Sequence, residues 1–204
     1  MNFNELVDLT KLRLSESSRP DRGWFLITRL HLDIEKLSKI ATYFDMAGIG
    51  ERRSIRNADY RSIARAIKVS MSSDDPGSNL RRHWLLAMTT PLRLLEKDGS
   101  WESVRLTDYG SALAKEADKH AVLELVLKDI VFCKEPWFTA DRVAEYADYD
   151  IRPYPAILEI MESLDGHVHR DEYGLFIYNL RLKTEVPWAI DMIRNYRQLG
   201  VTDQ

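Results

Sequence analysis

The chain has 204 residues, enough to bury a sizeable core as one domain or two small ones, and its 45% hydrophobic, 30% charged composition is that of a globular protein. A net charge of −3 argues against a general polyanion binder, so any nucleic-acid contact has to come from a local patch. Cys133 is the sole cysteine, which excludes a disulfide framework and a thiolate-rich metal site and fits a reducing compartment.

The opening stretch MNFNELVDLTKLRLSESS mixes charged and apolar residues and lacks the uninterrupted apolar core of a signal peptide. No apolar run approaches the ~20 residues that span a bilayer. The expectation is a cytoplasmic protein with no membrane contact. Next, RPDRGWFLITRLHL places Gly23 before a short apolar run and reads as a strand or extended segment. Asp33 is positioned to cap a helix whose apolar face is Ile34, Leu37, Ile40, Ala41 and Phe44, at a 3.6-residue period. The two glycines of MAGIGERR break the chain, and Asp59 is expected to open a second helix. Tyr60, Ile63, Ala64, Ile67 and Met71 fall on one side of that helix, and Arg61, Arg65 and Lys68 on another, at i, i+4 and i+7. A polar, turn-forming loop follows over 72–79.

The stretch LRRHWLLAMTTPLRLLEKDGSWESVRLTDYGSALAKEAD reads as helix, short helix, hairpin, helix. Asp98-Gly99 is a strong hairpin signal between the candidate strands RLLEK and SWESVRLT, and Thr107 is a plausible N-cap for a helix starting at Asp108. A further helix is expected from about Lys119 to Cys133. The last third reads as more helices: Pro153 and Pro155 mark a start, Tyr173, Phe176, Ile177 and Leu180 form one stripe, and Ala189, Met192, Ile193 and Tyr196 form the last. The fold expected is mainly α, with winged-helix-like helical modules and a short β-hairpin wing. It divides into a winged-helix-like subdomain over 1–118 and a helical second subdomain over 119–204.

Charge is the one feature that stands out. Residues 51–68, ERRSIRNADYRSIARAIK, hold Arg52, Arg53, Arg56, Arg61, Arg65 and Lys68 against Glu51 and Asp59 alone, a local balance of +4 that leaves −7 for the rest of the chain. Such a face is either solvated surface or a surface built to meet an anion. Arg81 and Arg82, beside His83, begin the helix before the wing and extend the basic region. Cations of this kind neutralise phosphates and set register, while an arginine inside a groove reads base edges.

Catalytic chemistry is not legible. In HVHRDE, His167, His169 and Glu172 lie close together, but two histidines and a carboxylate without further ligands are weak metal-site signals, and the alternative is a polar link whose acids favour a helix N-terminus. Cys133 in IVFC reads as a packing residue, and Asp74 and Asp75 as turn residues. No phosphate loop, nucleotide fingerprint or Ser-His-Asp spacing occurs. Neither catalytic nor metal-binding residues are assigned.

The order of features resembles the N-terminal DNA-recognition region of Type IIS restriction endonucleases and related nicking endonucleases, the AlwI and BstNBI kind. The resemblance is carried by GWFLITRLHLDIEKLSKIATYF as an opening strand and helix, and by NADYRSIARAIKVS as a second helix. LRRHWLLAMTTPLRLLEKDGSWESVRLTDYGSALAKEA matches helix, wing and helix, and IRPYPAILEIMESLDGHVHRDEYGLFIYNL a later helical module. It implies a sequence-specific reader of double-stranded DNA, for which the clustered cations Arg52, Arg53, Arg56, Arg61, Arg65, Lys68, Arg81 and Arg82 are the candidate DNA-binding residues. It also implies a separate nuclease domain or subunit, with a Pro-Asp … Asp/Glu-x-Lys motif, where Mg2+ would bind. Within this chain Pro-Asp occurs once, at Pro20-Asp21, with no matching Asp/Glu-x-Lys, and in DIEK the lysine directly follows Glu35. No cofactor is expected in this chain. The other reading is a tandem winged-helix module that binds protein or regulates transcription, without a nuclease.

Overall fold

The computed structural model describes residues 4, 5, 8, 33–71, 74–90, 92–99, 101–131 and 147–199. The segment around Gly23, Pro20-Asp21, Cys133 and PWFTADRVAEY lie outside these residues. The described residues from 33 to 130 and those from 147 to 199 belong to two separate compact units.

In the first unit, helix α1 (Ile34–Ala47) starts where the sequence indicates. The Asp33 carboxylate accepts the Lys36 N–H at 3.1 Å, and Gly48, with φ +60, ends the helix in the left-handed region. Its Leu37, Ile40, Ala41 and Phe44 are fully buried, as the 3.6-residue spacing requires. Helix α2 (Asn57–Ala66) begins two residues before Asp59, whose carboxylate accepts the Arg56 backbone N–H at 2.8 Å; the acid closes the start of the helix from its third position. Tyr60, Ile63, Ala64 and Ile67 are buried as expected, but Met71 lies beyond the helix end and is 39% exposed.

Helix α3 opens with π-helical turns over Leu80–Leu85 and relaxes to α geometry at Leu86–Thr89, burying Leu80, Trp84, Leu85 and Met88. Strands β1 (Leu95–Lys97) and β2 (Val104–Leu106) then pair antiparallel, with Leu95 opposite Leu106 and Lys97 opposite Val104. The hairpin is present at Asp98-Gly99, but its loop is longer than a two-residue turn. The Asp98 N–H reaches the Ser103 carbonyl at 3.0 Å, and Gly99 sits at φ +72. Thr107 caps helix α4 (Asp108–Lys115), its hydroxyl accepting the Gly110 N–H at 3.1 Å. Helix α5 (Lys119–Asp129) completes the unit, capped by Asp118 and ending before Ile130 rather than running on towards Cys133.

Two glycines bring these pieces close. A Cβ on Gly50 would stand 1.9 Å from the Val104 carbonyl oxygen, and one on Gly110 would stand 2.0 Å from that of Leu94. Only a residue without a side chain lets the α1–α2 connection lie on β2, or α4 lie under the start of β1. The result is mainly helical with one short two-stranded wing, in the order helix, helix, helix, hairpin. Helix α5, expected in the second subdomain, packs against α1 and α4 in the first unit, with Val122, Leu123 and Val126 buried.

The second unit is a small helical layer. Helix α6 (Pro153–Ser163) starts on Pro153, whose missing N–H costs nothing at a helix start. Asp165 (φ +59) and Gly166 (φ +83) reverse the chain after it. Helix α7 (Arg170–Glu172) continues as a π-helical turn over Tyr173–Ile177, and α8 (Val186–Gln198) packs on both α6 and that turn. Phe176 meets Tyr196 edge-on at 5.6 Å, so the two expected apolar stripes face each other.

Candidate nucleic-acid interface

The eight cations singled out in the sequence divide into two kinds. Arg53 and Arg81 are half-buried and each is committed to an acid. Arg53 forms a two-pronged ion pair with Asp59, Nη1 to Oδ2 at 2.5 Å and Nη2 to Oδ1 at 2.7 Å. Asp59 is only 2% exposed and also accepts from the Tyr43 hydroxyl at 3.2 Å. The Arg53 bond, aided by the Arg56 N–H and the Tyr43 hydroxyl, overcomes burial and holds the Asp59 carboxyl at about 2, against an ordinary 3.8. Arg81 pairs with Asp75 and lies over the Tyr60 ring at 5.1 Å. Asp75 in turn accepts the Gly77 N–H at 3.1 Å, so this acid organises the turn into α3.

The other six point outward. Arg52, Arg61, Arg65, Lys68 and Arg82 are exposed, and Arg56, 66% exposed along its side chain, comes only within 3.6 Å of Asp59. Arg61 and Arg65 lie one turn apart on α2 and share a face. Lys68 does not continue that stripe. The helix stops at Ala66, and Lys68 stands at φ +58, its N–H bonded to the Arg65 carbonyl while Val69 bonds to Ala64. This is a Schellman ending with lysine in the place glycine usually takes. Arg82 lies on the outer side of α3, away from buried Trp84.

The surroundings decide the sign of this surface. Asp59, the only acid of α2, is buried and paired, and Ser78–Thr90 contains no acid. On α2 and α3 no exposed carboxylate of the same helix accompanies the exposed cations, while exposed Glu51, Asp74 and Glu102 lie in the flanking segments. The wing is mixed. Arg105 pairs with Glu96 at 2.7 Å, and Lys97 lies over Trp101 at 5.4 Å. Arg93, exposed at φ +51, borders an open groove of about 1280 Å³ that runs along the wing past Thr107 and Tyr109.

Three residues near this surface were not singled out from the sequence. Leu86 is 47% exposed on α3, and half-buried Trp101 faces it across a small cavity; Arg93 is the third. A signal for Leu86 existed, because the apolar pattern Leu80, Trp84, Leu85, Met88 leaves it out of phase. Arg93 and Trp101 depend on where the wing folds, which spacing alone does not give.

The histidine cluster resolves differently. Glu172, the carboxylate weighed as a ligand, is fully buried and bonded to Arg197 at 2.7 and 3.0 Å and to the His169 N–H at 2.9 Å. Burial pushes this carboxyl up, but Arg197 and the His169 N–H prevail and hold it below its ordinary value. His167 and His169 are exposed, with rings 5.3 Å apart. Among the described residues no group of three or more potential metal ligands comes together, and no helix is long and apolar enough to cross a membrane. Comparisons of the chain with family models, with curated proteins and with solved structures returned no match.

Proposed function

We propose that the chain is a double-stranded DNA recognition module, the duplex-reading part of a Type IIS-like restriction or nicking endonuclease whose cutting centre and Mg2+ lie on another domain or subunit. The observation that carries the reading is the charge of α2 and α3: Arg61, Arg65 and Arg82 are exposed there, and no exposed carboxylate accompanies them. Arg52 and Arg56 ahead of α2 and Lys68 behind it widen the same cationic region. In a helix, helix, helix, wing order, α3 is the element that enters a major groove, and the exposed cations of α2 are suited to phosphates.

The test is duplex binding followed by fluorescence anisotropy between about 50 and 200 mM salt. With six outward cations, log K should fall against log salt with a slope of up to about −5. A selection from randomised duplex should also enrich one sequence. Flat salt dependence and no enriched sequence would overturn the reading. The tandem winged-helix protein-interaction or regulatory module would then stand, favoured by the −7 charge outside residues 51–68.

A further inference from the structure

Leu86 is only half covered by the fold. It is 47% exposed, and it is the only large apolar side chain exposed on α2 or α3. Arg82 precedes it by one turn on the outer side of α3. Trp101, from the wing, closes the other side of a cavity of about 280 Å³ that Asp75, Ser78, Arg81, Arg82 and Leu86 also line. The acid in that lining, Asp75, is paired with Arg81, and the guanidinium of Arg82 is the exposed cation of the lining, with exposed Asp74 and Glu102 next in sequence to Asp75 and Trp101.

A lone leucine beside one exposed arginine is a poor protein-docking patch, since such patches cover several hundred Å² of contiguous apolar surface. It suits an apolar group carried by a polyanion. The major groove of duplex DNA offers one such group, the C5 methyl of thymine. We infer that Leu86, with the Trp101 ring behind it, is a specificity-determining residue that contacts a thymine methyl, while Arg82 reads a guanine on the same face of α3. Arg82 lies in the π-helical part of α3, which rises less per residue than an α-helix, so the four residues to Leu86 advance by no more than about 6 Å; with base pairs stacked at about 3.4 Å, the two bases lie within about two base pairs of each other. This inference rests on the duplex-reading function proposed above.

The experiment uses the full chain and the duplex enriched from a random pool, with each thymine replaced in turn by deoxyuridine, which removes only the methyl. One replacement should weaken binding by about fourfold, the factor for burying one methyl group. Leu86→Ala should lose a similar factor on the thymine duplex and be indifferent to that replacement, with unchanged circular dichroism. If no deoxyuridine duplex binds differently, or if Leu86→Ala keeps the parent's sensitivity, the inference fails while duplex reading stands. If no sequence is enriched and duplex binding is absent, the function proposed above has failed as well. Should Leu86→Ala not fold, Leu86→Gln at this exposed helix position makes the same comparison, and a deoxyuridine series without effect overturns the inference with no variant at all.

Discussion

Arg53 is the cation whose removal separates folding from binding. Its guanidinium makes two short bonds to Asp59, which is 3% exposed along its side chain, while Arg53 itself is 33% exposed. Arg53→Ala leaves a buried carboxylate with the Arg56 N–H, the Tyr43 hydroxyl and, at 3.6 Å, the exposed Arg56 guanidinium. Stripping one partner from a buried pair costs about 3–5 kcal/mol, reduced here to roughly 2–3 kcal/mol because water reaches the arginine's side. The depressed carboxyl gives the same scale: the difference between 3.8 and about 2 is worth roughly 2–3 kcal/mol. For a unit near 100 residues this lowers the melting midpoint by on the order of 10 °C or more. The pH dependence has a definite sign. A carboxyl depressed in the folded state contributes its stability fully above 3.8 and loses it as pH falls towards about 2. Urea unfolding of the parent and Arg53→Ala should therefore differ most at neutral pH and converge as pH falls through that window. Arg52→Ala should unfold like the parent throughout. A gap between Arg53→Ala and the parent that is below about 1 kcal/mol at pH 7, or that stays constant down to pH 2, would refute the reasoning.

Arg61→Ala and Arg65→Ala should each weaken specific and random duplex alike and reduce the salt slope by about one, with unchanged melting. Lys68→Gly should relieve the left-handed backbone and stabilise the fold by about 0.5–1 kcal/mol while removing a phosphate contact, so melting rises as duplex binding falls. Gly50→Ala, which puts a methyl 1.9 Å from a backbone oxygen at φ +82, should cost about 2 kcal/mol or more and appear in denaturant melts whether or not DNA is bound.

Much of the first unit was legible because its signals are local. Asp33 and Thr107 cap the helices they were expected to cap, and the period of Leu37, Ile40, Ala41 and Phe44 marks the face that is buried. What failed to transfer depended on partners distant in sequence or on helix type. Spacing gives Arg81 and Arg82 equal standing, yet Asp75 and the Tyr60 ring hold one while the other faces outward. The i, i+4, i+7 stripe presumes a helix through Lys68, and the chain leaves helical geometry at Ile67. Asp59 read as a helix opener because its acid is local to α2, but its arginine partner lies upstream of the helix.

The two units share a device that bears on how the cations should be interpreted. In each, an acid at the third position of a helix closes the preceding backbone N–H, and an arginine from outside that helix clamps the acid: Asp59 with Arg53, Glu172 with Arg197. Arg197 also donates to the Leu164 and His167 carbonyls at 3.1 and 2.9 Å, binding the α6–α7 connection to α8. A buried pair of this kind adds little net stability compared with apolar packing, but losing one member is costly, so it fixes geometry rather than strength. Formal charge counts therefore misstate the surface. Asp59 contributes nothing outward, and Arg53 is committed to it, so the opposing charges cancel within the fold. The cations that remain on α2 and α3 meet solvent without an exposed acid on their own helices, which is how a protein at −3 can still present a locally positive face.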